Sequence, residues 1–212
     1  MKCPKCNQSI IEPLNFCPFC GSLLPQHKEL PMENVNLTFV RADLSGFTSL
    51  SEKLAPEEVM GILRKIFSDF KVVISSYKGM IYQVIGDEIV GIFGLNKQSG
   101  FAFHMAILAI EDMFKKLDAF NRDYKPKAPI GLKVGAELDR ASIHNFRGSL
   151  QNALIVADGF KKSLILQKNA ENDTALVGEN LYQATKSFFE FVYYGEFIED
   201  TLSIKAYKFV LK

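Results

Sequence analysis

The chain has 212 residues, 48% of them hydrophobic and 23% charged, enough for one well-buried core of ordinary size with a small appendage. Lys and Arg number 25 against 24 Asp and Glu, so a net charge of +1 supplies no sequence-independent attraction to nucleic acid or to an anionic membrane, and neither is expected as a partner. The longest apolar runs, residues 89–93 and 106–110, fall far short of the roughly 20 residues a spanning helix needs, and the opening Met1-Lys2-Cys3-Pro4-Lys5-Cys6 is not a secretory signal, so the cytoplasm is the expected location.

All four cysteines lie in the first 20 residues, as Cys3-Pro4-Lys5-Cys6 and Cys17-Pro18-Phe19-Cys20-Gly21. Two thiolates separated by two residues can face one tetrahedral ion, and a second such pair closes an all-cysteine site of the structural zinc kind. Two disulfides are the competing arrangement, which a reducing compartment disfavours. The segment resembles a short zinc ribbon. Four thiolates leave no open position on the metal, so its role is structural, and so short a module has no core to fold around without it. Residues 1–24 are therefore read as the zinc ribbon, 25–33 as a polar linker with two prolines, and 34–212 as the main domain.

Within the main domain, residues 35–42 are rich in β-formers and predict a strand that runs into Asp43-Leu44-Ser45-Gly46-Phe47-Thr48. Pro56-Glu57-Glu58 opens an amphipathic helix whose apolar residues, from Val59 to Ile74, recur at three and four, with Gly79 as its stop. Two short strands, 80–85 and 89–93, flank Gly86-Asp87-Glu88 and predict a β-hairpin with an acidic tip. A second helix is expected over 99–120 and a strand over 131–138. Residues 141–146 with 151–157 suggest a further hairpin, 158–168 a helix, and 188–194 with 201–210 closing strands. Strand, helix, hairpin, helix, strand is the ferredoxin-like βαββαβ order of an α+β fold, with helices on one face of an antiparallel sheet.

In that topology Asp43, just after a strand, and Asp87, at the tip of the adjacent hairpin, meet at one end of the sheet. Two carboxylates there suit hard divalent cations that also hold substrate phosphates. Gly46 allows the backbone close to a triphosphate. Taken singly, each aspartate could instead cap a helix or occupy a turn. His27, His104 and His144 are unclustered and expected in linker or surface positions, Lys161-Lys162 on a solvated helix face, and the 18 phenylalanines mostly in the core.

The run Phe39-Val40-Arg41-Ala42-Asp43-Leu44-Ser45-Gly46-Phe47-Thr48 resembles the first metal-binding signature of the class III adenylyl and guanylyl cyclases, and residues 78–94, with Gly86-Asp87, are similar to the second. The resemblance is weaker beyond Gly131. It implies cyclisation of a nucleoside triphosphate, ATP ahead of GTP, to cAMP or cGMP for intracellular signalling. It assigns Asp43 and Asp87 as catalytic ligands of two Mg²⁺ or Mn²⁺ ions, with the Leu44 carbonyl as an extra ligand. Leu44, Ser45, Gly46, Phe47, Thr48 and Gly86 form the surrounding cofactor-binding backbone. Departures from the pattern are equally specific. Gln83 replaces a base-selecting lysine, and alignment on the later motif puts Leu154 at the base-contacting aspartate, Lys161 at the ribose-orienting asparagine and Ile165 at the transition-state arginine. The chain therefore resembles the metal-giving half of a two-domain cyclase, similar to the first domain of soluble two-domain adenylyl cyclases. That half needs a second cyclase-type domain as dimer partner and is weak or inactive alone. The alternative is a pseudo-cyclase acting as a nucleotide- or partner-binding regulatory module.

Overall fold

The computed structural model describes residues 2–10, 16–22, 24, 32–47, 51, 54–95, 100–126, 129–144, 150, 153–199 and 202–211. The predicted linker and His27 lie almost wholly outside them, as does Thr48. In chain order the elements are β1 (Glu33–Ser45), α1 (Pro56–Ser76), β2 (Met80–Ile85), β3 (Glu88–Phe93), α2 (Ala102–Tyr124), β4 (Gly131–His144), β5 (Leu154–Val156), α3 (Gly159–Asn169), β6 (Thr174–Gly178), α4 (Glu179–Thr185), β7 (Phe191–Glu199) and β8 (Leu202–Phe209). The strands join in the order β2-β3-β1-β4-β6-β8-β7, with β5 on the far end of β4. Every pairing is antiparallel except β4 with β6.

The main core forms where α1 and α2 cover one face. Ile62, Ile66, Phe70 and Ile74 of α1, with Ile107, Ile110, Met113 and Leu117 of α2, pack over Val40, Ala42 and Leu44 of β1 and Leu132, Val134 and Ala136 of β4. Alternation along β1 sends Leu37 and Phe39 to the opposite face, where a second cluster gathers Ile92, Ala141, Ile143 and Ile155. Helix α1 starts as expected at Pro56, its entry fixed by the Glu58 carboxylate accepting from the Ala55 N–H at 3.1 Å.

Four expectations change. The helices do not share one face: α3 lies on the other, because Gly159 fits against the Phe39 ring and Gly135 of β4 fits under the helix backbone at Ser163 and Gln167, where any Cβ would collide. Residues 131–144 make one continuous strand rather than two, since Asp139 and Arg140 remain in register opposite Leu37 and Asn36. β6 and α4 were not anticipated; Thr174–Gly178 is buried throughout and shows no alternation to read. At the end of α1 the left-handed residue is Lys78 (φ 62°), whereas Gly79 is small because Phe93 and Ile74 press on it.

Candidate functional site

Asp43 lies on the interior strand β1, at the register point where it faces Glu88 of β3 on one side and Lys133 of β4 on the other. Asp87 sits in the β2–β3 turn, which Gly86 makes possible at φ 58°. The Leu44 N–H donates to the Asp87 carbonyl oxygen at 3.1 Å, tying that turn to the end of β1. The two sequence-predicted aspartates are thus brought to one end of the sheet, both half-buried.

Around Asp43, acidic neighbours outweigh basic ones. Asp43 is pushed up from its ordinary 3.8 to about 6, first by burial, then by the charges of Asp87 and Glu88, with Lys133 pulling the other way as the smallest influence. Among the described residues no salt bridge reaches Asp43 or Asp87. On β1 the odd-numbered residues share Asp43's face, and two of them carry buried polar atoms with no hydrogen-bond partner, Arg41 Nε and Ser45 Oγ. Arg41 forms a mostly buried ion pair with Glu88, each side chain 15% exposed. A group of acceptors lacking cations, flanked by unsatisfied donors, fits a divalent ion with phosphate oxygens around it.

The remaining predicted positions divide. Gly46 has φ 78° and is exposed, while the Phe47 ring is 4% exposed and packed in the main core, so only its backbone can face a ligand. Leu44 likewise buries its side chain, leaving its backbone at the strand end. Gln83 lies on β2 just past a bulge between Ile81 and Gln83 and is exposed. Leu154 is exposed on β5. Ile165 is 2% exposed, wedged among Leu166, Leu176, Ile204 and Ala206. Lys162 is not solvated as expected: its ammonium pairs with Asp139 at 3.0 Å. Nor is His104 at the surface; it lies partly buried among Phe101, Phe103, Phe188 and Phe189 with neither ring nitrogen bonded, and burial lowers its pKa. Sequence reasoning did not single out Arg41, Glu88 or Lys133. Alternation along β1 signals Arg41, but the other two emerge only from strand register.

At the N-terminus the sulfurs of Cys3, Cys6, Cys17 and Cys20 all lie within 4.8 Å of one another, and none is in a disulfide. Cys3 to Cys20 spans 3.7 Å and Cys6 to Cys17 3.5 Å. Four sulfurs at 2.3 Å from one tetrahedral ion stand about 3.8 Å apart, so the cluster has the dimensions to hold a metal. Two like turns build it. Cys3 N–H donates to the Gln8 carbonyl and Asn7 N–H to that of Cys3, while Cys17 N–H donates to Ser22 and Gly21 N–H to Cys17. Asn7 and Gly21, at φ 57° and 66°, occupy equivalent left-handed positions. The Ser22 hydroxyl, 3.4 Å from Cys3 Sγ and 3.0 Å from Cys20 Sγ, lowers both thiol pKa values and favours thiolates.

The architecture is that of nucleotidyl cyclase catalytic domains. Over 86% of this chain it superposes on 97% of the adenylyl cyclase CyaB from P. aeruginosa, with a TM-score of 0.78 at 19% identity. Over 85% it superposes on 99% of the guanylate cyclase domain of RhGC from Catenaria anguillulae, a structure in complex with GTP, with a TM-score of 0.72 at 14% identity. In sequence it is 27% identical over 101 residues to retinal guanylyl cyclase 2 of Bos taurus, a stretch covering 47% of this chain and only 9% of that relative's length. Residues 28–140, more than half of the chain, match the model of the adenylate and guanylate cyclase catalytic domain, and the chain belongs to that family. No described helix is long and apolar enough to cross a membrane.

Proposed function

We propose that this chain is the metal-giving half of a class III nucleotidyl cyclase that makes cAMP or cGMP. Asp43 and Asp87 would hold two Mg²⁺ or Mn²⁺ ions. Bound there, the ions supply activation of the ribose 3′-hydroxyl and neutralisation of charge at the α-phosphate. The chain's own contribution is to position. Burial and mutual repulsion keep the carboxylates in need of a cation, and the Leu44 carbonyl and the turn through Ser45 and Gly46 offer close backbone approach to phosphate oxygens. Residues 1–24 are proposed as a structural zinc ribbon, joined by the linker of residues 25–33 to a cyclase domain of residues 34–212.

The observation that carries the half-site reading is that Asp43 and Asp87 come to one end of the sheet with no salt bridge to either among the described residues, set against the fate of the other positions. Ile165 stands where an arginine would stabilise the transition state, and it is sealed in an apolar cluster. An arginine in that role is typically worth about 10³-fold or more in related phosphoryl chemistry. A second cyclase-type domain would therefore complete the site. The burial of Ile165 equally favours the second reading, an inactive cyclase-like module that binds nucleotide or a partner and regulates.

Mixing the purified chain with ATP or GTP and Mg²⁺ or Mn²⁺, with and without a cyclase domain bearing the missing lysine, asparagine and arginine, separates the two. Cyclic nucleotide formed only in the mixture, and lost in Asp43→Asn, supports the half-site. Turnover by the chain alone refutes it, and metal-dependent nucleotide binding with no turnover in any pairing leaves the regulator. For the ribbon, one zinc per chain by elemental analysis is expected, lost in Cys3→Ser.

A further inference from the structure

Arg41 and Glu88 are not part of either metal-binding aspartate, yet they border both. Glu88 is the direct cross-strand partner of Asp43, which places their Cβ atoms about 5 Å apart on one face. It also follows Asp87 in the chain. Three carboxylates therefore stand at this end of the sheet, although in the structure their oxygens are not drawn together as one three-ligand cluster. Ligand charge count sets the affinity of oxygen sites for divalent cations, so a third carboxylate would make this a tight, nucleotide-independent cation site.

Glu88 is not available for that role in the structure, because Arg41 holds it. The Arg41 side chain rises from the same face of β1 two residues before Asp43, and its Nη1 pairs with Glu88 Oε1, both groups mostly buried. The pairing is single-pronged. Arg41 Nε is buried without an acceptor, so it adds no second bond to the one made through Nη1. An arginine satisfied on its own account would bond through Nε as well; this one is aimed at one oxygen.

We infer that Arg41 is a positioning residue whose hold on Glu88 keeps that carboxylate out of the cation's ligand shell, so that the site binds a divalent ion firmly only when nucleotide phosphates complete it. The inference rests on the metal reading of Asp43 and Asp87. It links cation and nucleotide binding through a side chain that touches neither. A purely structural ion pair would hold the hairpin to β1 and leave cation affinity unchanged when removed.

The test uses the zinc-loaded full chain, titrated with Mn²⁺ in the absence of nucleotide and followed by the electron paramagnetic resonance of free Mn²⁺, with thermal melts as the check on folding. Arg41→Met is expected to bind Mn²⁺ about tenfold more tightly than wild type. Arg41→Lys, which keeps the charge, and the double variant R41M/E88Q, which removes the released ligand, should both stay at the wild-type affinity. Unchanged or weaker binding in a folded Arg41→Met, while Asp43→Asn still abolishes binding, overturns the role of Arg41 and leaves the metal reading standing. Binding of equal strength in wild type and Asp43→Asn overturns the metal reading and this inference with it.

Discussion

The two halves of the cyclase domain share one sheet and set their acidic groups in different surroundings. In the first, β1 and the β2–β3 hairpin hold Asp43 and Asp87 half-buried and, among the described residues, without a salt bridge, and the family match runs through this half and stops at residue 140, within β4. In the second, the fold continues past the family match: Ile165 is core, Leu154 is exposed on β5, and Lys162 is paired to Asp139. Each half also contains a carboxylate driven above its usual range. Asp43 is raised by burial and by the charges of Asp87 and Glu88, whereas Glu137, pushed up to about 7 chiefly by burial, accepts from the Leu138 N–H at 2.8 Å and the Leu181 N–H at 3.3 Å. Burial alone does not mark a site. What distinguishes Asp43 is that two neighbouring carboxylates add to burial in raising it.

Reversing the second half's divergence gives the largest expected effect. Ile165→Arg, which restores the family's residue by sequence, should destabilise the domain by about 3–5 kcal/mol, because the guanidinium enters an apolar cluster with no partner. Denaturant titration measures this, and a stable, active Ile165→Arg would break the claim that the half has lost its site. Next, Glu137→Ala should cost about 3 kcal/mol by leaving two buried N–H donors without an acceptor. Its deficit should be widest below pH 4.5 and narrow as pH rises through about 7, since the wild type's folded carboxyl titrates above its ordinary value and that part of its stability is lost on ionisation. The smallest effect has the opposite sign. In the absence of metal, Asp43→Asn should stabilise the chain by about 1 kcal/mol at pH 8, a figure reduced for the solvent screening of a half-open group. Wild-type stability from this group is complete below pH 3.8 and is lost as pH rises through about 6, so the two proteins should converge in acid. Added Mg²⁺ or Mn²⁺ should raise the melting temperature of wild type alone.

Sequence made the first half readable because its signals are local. The spacing of Ile62, Ile66, Phe70 and Ile74 declares a helix, and Gly86-Asp87 between two apolar runs declares a hairpin, which sufficed to put Asp87 beside Asp43. The second half hides its logic in long-range contacts. Helix α3 turns Gly159, Ser163 and Gln167 inward, small or polar residues that pattern reading assigns to the outside, and so its face was misjudged. Asp139 and Arg140 look like a turn, yet pairing with the start of β1 carries the strand straight through them. The surroundings of Asp43 were legible only in part, since Glu88 and Lys133 reach it through register, which no local window contains.

The contact of Gly135 with the backbone of α3 bears on how a signal could travel. With no side chain between them, helix and strand have no cushion of rotamers to absorb a push, so a load applied to α3 passes into β4 undiminished. Two residues back along that strand is Lys133, which lies opposite Asp43 and whose charge pulls its pKa down. A neighbouring molecule pressed against α3 would thus bear directly on the strand that carries Lys133.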